Sequence, residues 1–126
     1  MTLFVNMHVK DLPASVTFFR ELGFSLDEKF TSDETGVVIL GEGASLLLVA
    51  EPLFKTITGR DIPDVTAGNE AVLAVEVDSR AKVDEVVTAA LANGGTDAGQ
   101  PEDNEYMYSR GFRDLDGHFW NILHMA

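Results

Sequence analysis

A chain of 126 residues with 45% apolar composition can bury one ordinary domain core. It has no apolar run near the roughly 18 to 20 residues that a membrane helix needs. Nine basic against 21 acidic residues leave a net charge of -12. That balance argues against nucleic acid as a partner and favours a cationic ligand at long range. The absence of cysteine excludes disulfides, thiolate metal sites and a cysteine nucleophile. No basic-then-apolar leader opens the chain, so the cytoplasm is the expected location.

Leu3, Val5, Met7 and Val9 alternate with Phe4, Asn6 and His8, which predicts a strand with two different faces. Asp11 is placed to cap a following helix, with Pro13 in its first turn and Gly23 at its end. Leu12, Val16, Phe19 and Leu22 fall near one face of that helix. Three strand signals follow, at 24–26, 37–40 and 45–49, separated by turn-like segments at 31–36 and 41–43. Residues 52–69 form a connector that reads as a loop, because Gly59, Pro63 and Gly68 interrupt it. Phe54 and Ile57 are the residues expected to pin it down.

Alternation returns in AVLAVEVDS from Ala71, with Leu73, Val75 and Val77 on one face. Asp78 or Ser79 can cap the next helix, whose apolar stripe is Val83, Val86, Val87, Ala90 and Leu91. A weak strand signal near Thr96 is followed by stronger ones at 106–112 and 119–125. The turn Asp114-Leu115-Asp116-Gly117 separates the last two.

The pattern strand-helix-strand-strand-strand therefore occurs twice, at an offset near 68 residues that carries Val9 onto Val77. This predicts an α+β fold of two tandem β-α-β-β-β modules in one domain over 1–126: module one 1–51, connector 52–69, module two 70–126. A ferredoxin-like repeat would need only two strands per helix, and the third strand signal in each half argues against it.

The opening run VNMHVKDLPASVTFFRELGF and the closing run RGFRDLDGHFWNILHM resemble the end signatures of the vicinal oxygen chelate superfamily, which holds glyoxalases, bleomycin-resistance proteins and extradiol dioxygenases. The nearest likeness is to its short lactoylglutathione lyase-like proteins. The resemblance implies curved mixed sheets forming a ligand trough, and a homodimer. It also implies metal donors in the first and last strand of each module, positions that fall on Phe4, Leu47, Val72 and Asn121. Three of these residues cannot coordinate a metal and Asn121 offers one amide. The expectation is therefore no metal and no cofactor.

Inward-facing parity gives an apolar lining of Phe4, Asn6, Leu47, Val72, Ala74, Phe119, Asn121 and Leu123, which suits a small organic ligand. Arg110 is a candidate for binding a carboxylate or phosphate, set against a salt bridge with one of the abundant acids. His8, Glu76 and Tyr106 are the candidates for metal-free acid/base work. His118 reads as a turn residue and His124 as a packed one. The function expected is binding of a small, possibly cationic aromatic, molecule. The alternative is a lyase, isomerase or dioxygenase with a non-standard or metal-free site, and a non-catalytic interaction domain is the third reading. The expected partner is a small-molecule ligand, with neither nucleic acid nor membrane.

Overall fold

The alternating run at the N-terminus forms strand β1 (Leu3–Val9), and Asp11 then caps helix α1 (Leu12–Glu21), its carboxylate accepting from the Ala14 N–H at 3.1 Å. Strands β2 (Ser25–Leu26), β3 (Thr35–Gly41) and β4 (Ala44–Ala50) follow, with a short 3-10 turn, Glu28–Phe30, after β2. They form a four-stranded sheet in the order β1-β4-β3-β2, in which β1 and β4 are parallel. Helix α1 packs on β4 and β3. It buries Leu12, Phe18, Phe19 and Leu22 over Val38, Leu46 and Leu48.

The computed structural model describes residues 1–126. The chain divides into two compact units, Met1–Asp64 and Val65–Ala126. In the second unit, β5 (Val72–Glu76) leads into α3 (Arg80–Ala92), then β6 (Thr96–Asp103), β7 (Met107–Arg113) and β8 (Phe119–Met125). Ser79, not Asp78, caps α3, accepting from the Lys82 N–H at 3.0 Å. Val83, Val86, Val87 and Ala90 are buried, together with Phe112, Trp120 and Ile122. Leu91 lies 37% exposed, so the apolar stripe ends at Ala90. The sheet order β5-β8-β7-β6, with β5 and β8 parallel, repeats that of the first unit. Helices α1 and α3 are each followed by three strands, and neither sheet closes on itself.

The connector differs from the loop expected. Glu51–Thr58 forms helix α2, with Pro52 in its first turn and Gly59 closing it at φ 71°. Proline fits there because its missing N–H has no helical partner in the first turn. The later glycines and Pro63 hide this short helix from a reading of the sequence. Helix α2 packs on β1 and β4. The Phe54 ring meets His8 edge-on, with centroids 5.3 Å apart, whereas Ile57 stays 59% exposed. No helix is long and apolar enough to cross a membrane.

Candidate functional site

Strand register decides which residues share a face. In the first unit Phe4, Asn6 and His8 pair with Ser45, Leu47 and Val49. Ile39, Val37 and Thr35 of β3 join the same rows. Helix α1 covers the opposite face, so this one is open at the Phe4 end: Phe4 is 54% exposed. At the other end α2 roofs it, and His8 and Val49 are buried. Leu47 shares the open face, and Leu48 points under α1.

The second unit repeats the register. Val72, Ala74 and Glu76 pair with Phe119, Asn121 and Leu123. Arg113, Gly111 and Ser109 complete the rows. The pair Asn6–Leu47 thus reappears as Ala74–Asn121. Val72 is exposed, and Asn121 and Leu123 are half-buried. The Phe119 ring does not stand free. A Cβ built on Gly99 or Gly111 would meet its tip at 2.8 or 3.1 Å, so the ring lies over two glycines. The Arg113 guanidinium covers it at 5.3 Å from the ring centroid. Gly99 also holds φ at +73°, a conformation that side-chain-bearing residues rarely adopt.

Arg110 does not share the face of Phe119 and Asn121. It pairs with Ile122 and so points to the α3 side. There its Nη1 donates to Asp84 at 3.0 Å, and the Tyr108 hydroxyl donates to the same oxygen at 2.6 Å. These bonds, Tyr108 first and Arg110 second, hold the Asp84 carboxyl below its ordinary range, and the bond to Asp84 pushes the Tyr108 phenol up. Arg80 lies over the Tyr108 ring at 5.4 Å, pairs with Asp103 at 2.6 Å and donates to the Asn104 carbonyl. The salt bridge that the sequence offers for Arg110 thus forms, but its partner Asp84 lies 26 residues away in the chain, where no local pattern names it.

The acid/base candidates occupy three different settings. His8 is buried beside Phe54. Glu76 is exposed, its Oε2 accepting from the Met125 N–H at 3.4 Å. Tyr106 is 70% exposed. His124 lies on the helix side with Trp120 and Ile122, its Nδ1 2.8 Å from the Val77 carbonyl. His118 follows the 114–117 turn, and its N–H donates to Asp114. Asp114 is itself buried and accepts from the Asp116 and His118 N–H groups and from the Trp120 indole at 2.9 Å. Burial pushes this carboxyl above its ordinary value, against the opposing pull of His118 and these donors.

The four positions where the resemblance implies metal donors are poor in donor atoms. Phe4, Leu47 and Val72 present only carbon, and Asn121 presents one amide. No three His, Asp or Glu side chains come together as a metal-holding group. These residues do not fit a divalent ion, which needs several nitrogen or oxygen donors converging on one point.

The chain belongs to the glyoxalase/bleomycin resistance protein/dioxygenase superfamily, whose sequence model matches residues 3–122. Among solved structures, a hypothetical protein of S. aureus is similar at 27% identity and a TM-score of 0.84, over 98% of this chain and 93% of that one. A protein from Agrobacterium tumefaciens is 29% identical with a TM-score of 0.72, over 100% and 99% of the two chains. A glyoxalase/bleomycin resistance protein/dioxygenase family enzyme from Burkholderia phytofirmans PsJN shares the fold at 21% identity and a TM-score of 0.79, over 98% and 97%. No curated protein matches the sequence.

Proposed function

We propose that this protein binds a small, largely apolar organic molecule on the open sheet faces, without a metal at the superfamily's donor positions. The observation that carries this reading is the composition of those positions. The donor positions hold Phe4 and Leu47 in the first unit and Val72 and Asn121 in the second, and Asn6 and Ala74 lie beside them on the same faces. Apolar lining with a few amides suits an aromatic ligand that is oriented by hydrogen bonds. The net charge of -12 adds attraction for a cationic group. In the second unit Glu76 and Glu102 lie toward the end of the face away from Arg113, where such a group would be drawn.

The test is elemental analysis combined with a ligand titration. Protein as isolated should carry no stoichiometric transition metal, and added nickel, zinc or iron should give no glyoxalase or ring-cleaving activity. A neutral aromatic amide should shift the NMR signals of Phe4, Val72 or Asn121. A benzylammonium ion should do so more strongly at low salt than at high salt. One metal per chain, lost on changing His8 or Glu76, would overturn the metal-free reading. Aromatic probes that leave these signals unmoved would overturn the binding reading.

A further inference from the structure

We propose that Arg113 is an anion-recognition residue, and that the ligand of the second unit's open face carries a carboxylate or a chemically similar acidic group. The inference rests on the ligand-face reading above and adds an acidic group at the Arg113 end of the face, opposite the Glu76 and Glu102 end that draws a cationic one. Acidic residues outnumber basic ones by 21 to nine, and three of the other four arginines take carboxylate partners: Arg20 with Glu28, Arg80 with Asp103, Arg110 with Asp84. Arg113 takes neutral ones. Its Nη1 donates to the Asn69 amide oxygen at 2.7 Å and to the Gly117 carbonyl at 3.1 Å. Its guanidinium rests on the Phe119 ring, which the two glycines hold flat against the sheet. Neutral acceptors and a ring fix the orientation of the group while leaving its positive charge uncompensated.

The fork that remains is the edge made by Nε and Nη2, the side on which a carboxylate is bound through two parallel hydrogen bonds. The register puts Arg113 on the row of Phe119 and Val72, so an acidic group held there would have its aromatic body over apolar surface. The negative field of the whole chain opposes an anion at a distance. It is screened beyond roughly 10 Å, whereas a charge-assisted hydrogen bond acts at contact.

The experiment compares benzoate with its neutral isostere benzamide, titrated into the full chain and followed by NMR, including the Arg113 Nε–H signal. Benzoate should bind roughly tenfold tighter or more, with the Arg113 Nε–H and the Phe119 ring shifting together. R113Q should bind the two probes alike, and R113K should keep part of the preference because it keeps the charge and loses the fork. Benzoate binding no tighter than benzamide, or an undiminished preference in R113Q, would sink the proposal while leaving the ligand face intact. If neither probe moves Val72, Phe119 or Asn121, both the proposal and the ligand-face reading fail. Should R113Q not fold, the wild-type comparison and R113K decide the matter. A residue that merely clamps the turn to Asn69 would produce no preference between the probes.

Discussion

The third strands of the two repeats differ at two successive positions, and the difference separates how the units are built. In the first unit β3 carries Gly36 toward α1 and Val37 toward the open face. In the second, β7 carries Arg110 toward α3 and Gly111 toward the open face. Gly36 lets the helix close in: a Cβ there would meet Val16 at 3.0 Å and Leu12 at 3.5 Å. Arg110 fills the equivalent place with a charge that α3 answers through Asp84. On the other face the roles reverse. Val37 is buried in the first unit, and Gly111 is kept bare so that Phe119 can lie on the sheet. One topology thus yields a dry helix contact with a roofed face, and a polar helix edge with an arginine set on a ring.

The dry contact should be the more sensitive to truncation. Phe19 is 1% exposed at its centre, and Phe19→Ala should cost about 3 to 5 kcal/mol, read as a loss in urea unfolding free energy. A loss under about 1 kcal/mol, well below the range for a buried phenylalanine, would show that α1 repacks over the gap and is not tightly fitted.

Replacing Gly111 by the first unit's residue tests the reversal directly. A Cβ at Gly111 would stand 2.5 Å from the Ala98 carbonyl oxygen and 3.1 Å from the Phe119 ring. Gly111→Val should therefore destabilise the fold by about 1 to 3 kcal/mol, as overpacking does, and should release the ring from Arg113. Unchanged Phe119 ring shifts in this variant would mean that β6 yields and the two glycines are not needed to seat the ring.

Much of this comparison could be read from the sequence and some of it could not. The alternating runs of β1 and β8 are bounded to the residue by period two, and residue type gives the cap at Asp11 but leaves the second open between Asp78 and Ser79. Period two predicts that Phe4 shares a face with Asn6, and Val72 with Ala74, and the register of each sheet shows the same rows. Helix α2 was hidden because eight residues give a weak periodic signal beside Gly59 and Pro63. The partners of Arg110 and the platform under Arg113 depend on side chains brought together across 26 and six residues, which no local pattern encodes. Arg113 itself sits inside the run RGFRDLDGHFWNILHM, which reads as a closing signature and singles out no role for it.

The roof over the first unit's face should matter less to stability than its core. Phe54 is only half-buried, so Phe54→Ala should cost about 1 to 2 kcal/mol, below the range for a fully buried phenylalanine. The His8 ring protons should shift, since Phe54 stands edge-on to them. If the His8 signals stay in place, α2 does not shield that end of the face.

The smallest effect lies on the polar edge of the second unit, and its sign depends on pH. Asp84 is held below its ordinary 3.8 first by Tyr108 and then by Arg110, and Tyr108 is raised above its ordinary 10.0 first by its bond to Asp84. A depressed carboxyl contributes stability that is present above 3.8 and is lost as pH falls through its folded value. A raised phenol contributes stability that is present below 10.0 and is lost as pH rises through its folded value. Tyr108→Phe removes the bond that serves both groups. The stability difference between wild type and variant should therefore be flat between those two values and shrink on either side. Asp84 is exposed, Tyr108 is half-buried and their bond lies at the surface, so the plateau should stay below about 1 kcal/mol. Urea midpoints across pH would measure it, alongside an NMR titration in which Asp84 of the variant moves up toward 3.8 while Arg110 still holds part of the shift. A difference that does not change with pH would assign the effect of the substitution to lost packing of the phenol against Arg80, and the polar edge would then resemble the dry one after all.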